Sequence, residues 1–114
     1  MKLIFAIVND EDELDVMRGL SQEGYGVTKL CSTGGFLKSG NTTLLIGVDD
    51  EKMDHAIEII KTKSKSRKKI VNSSIIGSSQ GAVLTGYPIE ITMGGATIFV
   101  TDVIKYIKEW NDVF

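Results

Sequence analysis

The order of the apolar runs constrains this chain more than any other property. Two of them, KLIFAIV at residues 2–8 and TTLLIGV at residues 42–48, are rich in β-branched and aromatic side chains and have the length of buried strands. Each is followed at once by a polar cluster rich in acids, Asn9, Asp10, Glu11 and Asp12 in the first case and Asp49 and Asp50 in the second. Acids suit a helix start, where they meet the positive pole of the dipole and can cap free amides. The spacing then predicts one helix with Leu14, Met17 and Leu20 along its apolar stripe and Gly24 as a left-handed stop. A second helix carries Met53, Ala56, Ile57, Ile59 and Ile60. Further strands are expected over residues 27–33, 70–76, 87–92 and 96–100, with Pro88, the single proline, marking a strand entrance. A last helix is expected over residues 101–112, capped by Thr101 or Asp102 and striped by Val103, Ile104, Ile107 and Trp110.

That order reads β-α-β-β-α-β, an α+β, ferredoxin-like arrangement in which both helices cover one face of an antiparallel sheet, with an extra C-terminal helix. At 114 residues and 42% hydrophobic content, a single domain over residues 1–114 is expected. If the sheet's other face is apolar, oligomerisation is the usual way to cover it. Residues 64–86, including GSSQGAVLTG, are expected to form a long mobile connection.

A net charge of −2 and a pI near 5.3 argue against a nucleic-acid partner or membrane-surface binding, both of which draw on a positive field. The apolar run at residues 2–8 is too short to span a bilayer, and one cysteine, Cys31, allows no intrachain disulfide. A cytoplasmic protein without membrane insertion is therefore expected. The acids at residues 10–13 are the ordinary pattern of a helix start rather than a metal site. The run KTKSKSRKK at residues 61–69 holds six basic residues and reads as a solvated helix end rather than a phosphate patch. His55, the only histidine, has no nucleophile or orienting partner in the local sequence and reads as structural or surface.

The stretch best suited to a ligand is residues 28–43, TKLCSTGGFLKSGNTT. Gly34, Gly35 and Gly40 allow tight turns, Phe36 and Leu37 offer a flat apolar surface, and hydroxyls and the Asn41 amide surround it. Such a mixture suits a ligand that is part anion and part flat ring, such as a nucleotide. Gly35 and Gly40 have the spacing of a phosphate-binding P-loop, but Asn41 stands where that motif needs lysine, and TTLLIGV reads as a strand rather than the helix a P-loop opens. Phosphotransfer is thereby disfavoured, and a non-enzymatic binding protein is expected.

Together, TKLCSTGGFLKSGNTTLLIGV and GGATIFV at residues 94–100 resemble the PII-like cyclic-di-AMP receptor family, also called PstA or DarA, over residues 1–100. The resemblance implies a bacterial signal-transduction homotrimer that binds one cyclic dinucleotide at each subunit interface, without catalysis or cofactor, and relays binding through loop rearrangement to a downstream protein. It places Thr28 and Asn41 as hydrogen-bonding groups, Phe36 against a base and Leu37 on the pocket wall. Gly35 and Gly47 would admit the ligand to the backbone, while Gly94, Gly95 and Phe99 form a wall contributed across the interface. Members commonly carry a basic residue just before the Thr28 motif, where this chain has Gly26, and their C-terminal tails differ from this one. Two alternatives follow: an interaction module on the same scaffold that has lost dinucleotide binding, or a PII-like sensor of ATP or ADP.

Overall fold

The computed structural model describes residues 1–30, 40–72 and 88–109. Six strands and two helices run in the order β1 (Lys2–Asn9), α1 (Glu13–Gln22), β2 (Val27–Leu30), β3 (Asn41–Val48), α2 (Met53–Lys63), β4 (Arg67–Asn72), β5 (Pro88–Met93) and β6 (Ala96–Asp102). A turn of 3-10 helix, at Asp10–Asp12 and Asp50–Lys52, precedes each α-helix. The main sheet has strand order β2-β3-β1-β6, and all of its pairings are antiparallel. This is the ferredoxin-like βαββαβ order, with β6 as the fourth strand and the β4–β5 ribbon inserted ahead of it.

Alternation along the strands decides which face is covered. Ile4, Ala6 and Val8 of β1 and Leu44, Ile46 and Val48 of β3 are buried in one core with Val16 and Leu20 of α1 and Ala56 and Ile60 of α2. Full burial of one such aliphatic side chain contributes roughly 1.5–3 kcal/mol. Leu14, expected on the α1 stripe, is exposed, and Val16 takes its place against the sheet. Asn9 caps the first turn by accepting from Glu11 N–H at 3.0 Å, and Gly24 ends the α1 region with φ +86.

The basic run docks onto the acidic turn. Arg67 holds the buried Asp12 carboxylate with two hydrogen bonds, 3.0 and 3.2 Å long, and Lys69 reaches Glu11 at 3.3 Å. The Asp12 hydrogen bond, then the charges of Asp12, Glu11 and Asp15, hold the Arg67 guanidinium above its ordinary pKa. These contacts correct the expectation of one loop over residues 64–86. An isolated two-stranded ribbon is marginal in water, but Arg67 and Lys69 fix β4 to the start of α1, so regular structure resumes at Arg67. The rest of that expected connection, residues 73–86, lies outside the described residues.

The expected C-terminal helix is also corrected. Thr101 and Asp102 extend β6, opposite Leu3 and Lys2, and residues 103–109 are not helical. Lys2 pairs with Asp102, a contact that raises the Lys2 pKa, and Val103 N–H donates to the Met1 carbonyl at 3.1 Å. Ile104 is 100% and Ile107 69% exposed, so among the described residues nothing receives the apolar stripe that would offset the cost of nucleating a helix.

Candidate ligand site

The face of the sheet away from the helices carries the candidate residues. On it lie Leu3, Phe5 and Ile7 of β1, Asn41, Thr43, Leu45 and Gly47 of β3, Thr28 and Leu30 of β2, and Thr97 and Phe99 of β6, since directly paired residues share a face. Phe99, on the edge strand β6, pairs with Phe5 and is 57% exposed, which leaves an aromatic surface toward the β6 side of this face.

Two hollows flank it. The larger, 540 Å³ in volume, is bounded by Thr28, Gly26 and Val27 of β2 and its approach, Leu45 and Gly47 of β3, Met1 and Leu3, and Val103 and Tyr106 of the C-terminal segment. The smaller, 340 Å³, is bounded by Asn41, Gly94, Gly95, Ile7, Ala96 and Thr97. The candidate residues thus divide into two groups, Thr28 with Gly47, and Asn41 with Gly94 and Gly95. Asn41 and Gly47 occupy opposite ends of β3, six residues and therefore about 20 Å apart. Gly35, Phe36 and Leu37 lie outside the described residues.

Gly94 has a structural duty of its own. Its φ is +84, and a Cβ there would stand 2.5 Å from the Lys65 carbonyl oxygen and 2.6 Å from an Arg67 nitrogen. Gly95 N–H donates to the carbonyl of buried Ser64, so the β5–β6 corner is pressed against the end of α2. At Gly26, by contrast, a Cβ would meet nothing within 4 Å, and its φ is ordinary.

Among the described residues, neither hollow has a charged side chain in its wall. Anionic groups would be met there by the hydroxyls of Thr28 and Thr97, the Asn41 amide and backbone N–H groups. Near Asn41, the Thr42 hydroxyl lies 2.5 Å from Asp10 and 3.2 Å from Glu13, and Glu13 in turn accepts Lys29 at 2.9 Å. The acids of the first turn are therefore engaged with protein partners, and no group of three or more His, Cys, Asp or Glu suited to a metal occurs among the described residues. Tyr106 and Val103 were hidden from sequence reasoning by the helical spacing of the tail. Leu3, Leu45 and Thr97 were legible as the odd phase of strands whose even phase is core.

A family model described as "Cyclic-di-AMP receptor" matches residues 1–109. The chain belongs to the cyclic-di-AMP receptor family. A crystal structure of a functionally unknown protein from Pediococcus pentosaceus ATCC 25745 is similar to it, with a TM-score of 0.72 and 36% identity over 95% of this chain and 96% of that one. Membership of this receptor family agrees with the fold class and with the two motifs at residues 28–48 and 94–100. No helix among the described residues is long and apolar enough to cross a membrane.

Proposed function

We propose that this chain is a non-enzymatic receptor of the bacterial cytoplasm, which binds cyclic di-AMP at the interfaces of a homotrimer and relays binding through loop rearrangement to a downstream protein. Family membership supports the ligand class. The observation that carries the interface is the division of candidate residues between the two ends of β3. A second copy, placing its Asn41, Gly94 and Gly95 end against the Thr28 and Gly47 end of the first, gives one ligand both sets of contacts. It also covers the apolar face bearing Phe5 and Phe99. In this reading Thr28 and Asn41 hydrogen-bond the dinucleotide, Phe36 packs on a base, Leu37 lines the pocket, and Gly35 and Gly47 admit the ligand to the backbone.

Calorimetric titration with cyclic di-AMP, cyclic di-GMP and ATP tests this reading. Saturable binding of cyclic di-AMP alone is expected, and no binding at high micromolar concentration overturns it. Asn41→Ala and Phe36→Ala should weaken binding with little change in melting temperature, whereas a large loss of stability without ligand would make those residues structural. A second reading, an interaction module without dinucleotide binding, draws on the lack of charged side chains among the described wall residues and on the exposed Ile104, Tyr106 and Ile107. Trimer formation with no nucleotide binding would favour it, and binding of ATP alone would favour a mononucleotide sensor.

A further inference from the structure

One wall of the larger hollow depends on a side chain that does not reach it. β2, described over Val27–Leu30, lies at the edge of the main sheet and among the described residues pairs with β3 alone. Its N-terminal approach is Gly24-Tyr25-Gly26, and a Cβ at either glycine would find nothing within 4 Å, so neither is held by packing. Tyr25 is what fixes this approach. Its N–H donates to the Leu20 carbonyl at 3.0 Å, and its half-buried ring packs against the core. Its hydroxyl lies 2.6 Å from His55 Nδ1 and 3.4 Å from the Lys52 carbonyl, both on the α2 side. The rings stand 5.6 Å apart, tilted by 50°.

We infer that His55, acting through Tyr25, is a positioning residue that sets where Gly26, Val27 and Thr28 stand as the wall of the ligand hollow. The inference rests on reading that hollow as part of the cyclic-di-AMP site. The chemistry of the contact explains why these two residues suit the task. When His55 Nδ1 is unprotonated it accepts a hydrogen bond from the Tyr25 hydroxyl. When Nδ1 carries a proton it donates to the tyrosine oxygen, and the phenol turns its own proton to the Lys52 carbonyl. The approach to β2 is thus tied to α2 in both states. Flanking glycines make the tie necessary, because they leave the backbone on either side of Tyr25 more conformational freedom than other residues would.

The test compares Tyr25→Phe, His55→Leu and His55→Asn with the unaltered chain, by calorimetry with cyclic di-AMP and by amide hydrogen exchange at residues 26–28 without ligand. Asparagine keeps a polar group near the place of Nδ1, and His55 is exposed, so each variant should fold. Tyr25→Phe and His55→Leu should weaken binding about fivefold, the equivalent of one lost hydrogen bond, and speed exchange at residues 26–28. His55→Asn should restore both to within about twofold, on the same single-bond scale. Unchanged affinity and exchange in the first two variants would overturn the inference, as would failure of asparagine to rescue. If the unaltered chain does not bind cyclic di-AMP, the ligand reading fails by itself. Exchange at residues 26–28 then decides the positioning role, faster exchange supporting it and unchanged exchange overturning it.

Discussion

Gly26→Arg should tighten cyclic-di-AMP binding, and the structure sets the size of the gain. The larger hollow has 540 Å³ of space and no charged side chain among the described residues of its wall, while cyclic di-AMP carries two phosphates. A Cβ at Gly26 meets no atom within 4 Å and the backbone there needs no glycine conformation, so the substitution should cost no strain. Replacing glycine at such a position should even stabilise the free protein by about 0.4–1 kcal/mol through the unfolded chain. A hydrogen bond to a charged group is worth about 1.5–3 kcal/mol, or a tenfold to hundredfold lower Kd. Calorimetry should show this gain for Gly26→Arg and at most a small one for Gly26→Ala. The difference should shrink as ionic strength rises, because the hollow is open and added salt screens the guanidinium. Equal affinities for the two variants, with melting temperatures at or above that of the unaltered chain, would refute the reasoning. They would place the phosphates away from the Gly26 wall.

Two further substitutions separate packing from ligand contact. Gly94→Ala forces a left-handed residue to carry a Cβ against the Lys65 carbonyl. The conformational cost alone is about 1–2 kcal/mol, and thermal denaturation should show a fall of about 5 °C or more; an unchanged midpoint would mean the β5–β6 corner relaxes. Tyr106→Ala removes the aromatic ring from the wall shared with Thr28 and Gly47. If the ring stacks on a base, affinity should fall by about 1–3 kcal/mol, Tyr106→Phe should retain it, and the melting temperature should hold because Tyr106 is 61% exposed.

Short apolar runs that end in polar clusters make β1 and β3 legible in the sequence. Ile4, Ala6 and Val8 alternate with Leu3, Phe5 and Ile7, and both phases are apolar, which marks a strand covered on one face by helices with a second face still to be covered. The tail was misread for a related reason. Val103, Ile104, Ile107 and Trp110 have helical spacing, but spacing yields a helix only when a surface exists to receive the stripe, and Ile104 and Ile107 have none among the described residues. The clasp of Arg67 on Asp12 joins residues 55 apart in sequence. Each looked complete alone, one as a helix-start acid and the other as a solvated base, and they meet only because the fold sets the start of β4 beside the turn before α1. At the candidate site, residue types that suit a nucleotide were legible, whereas their division between two hollows follows from β3 running straight between Asn41 and Gly47.

If the proposed site is shared between copies, ligand binding and assembly are one equilibrium. If each chain supplies two half-sites about 20 Å apart along β3, a lone chain offers a dinucleotide only half of its contacts, and the intact site exists only between copies. Linkage then runs both ways: whatever cyclic di-AMP gains from the second copy, the assembly gains from cyclic di-AMP. A ligand held only by the assembled form stabilises it by about 2.7 kcal/mol at a hundred times its Kd. Sedimentation across a dilution series should therefore show the trimer persisting to lower protein concentration when the dinucleotide is present, and titrations below the dissociation midpoint should return a weaker apparent affinity. An affinity independent of protein concentration, measured where the free chain is demonstrably monomeric, would place the whole site within one chain. The 20 Å between Asn41 and Gly47 would then have to be bridged by the ligand itself, lying across Phe5 and Phe99.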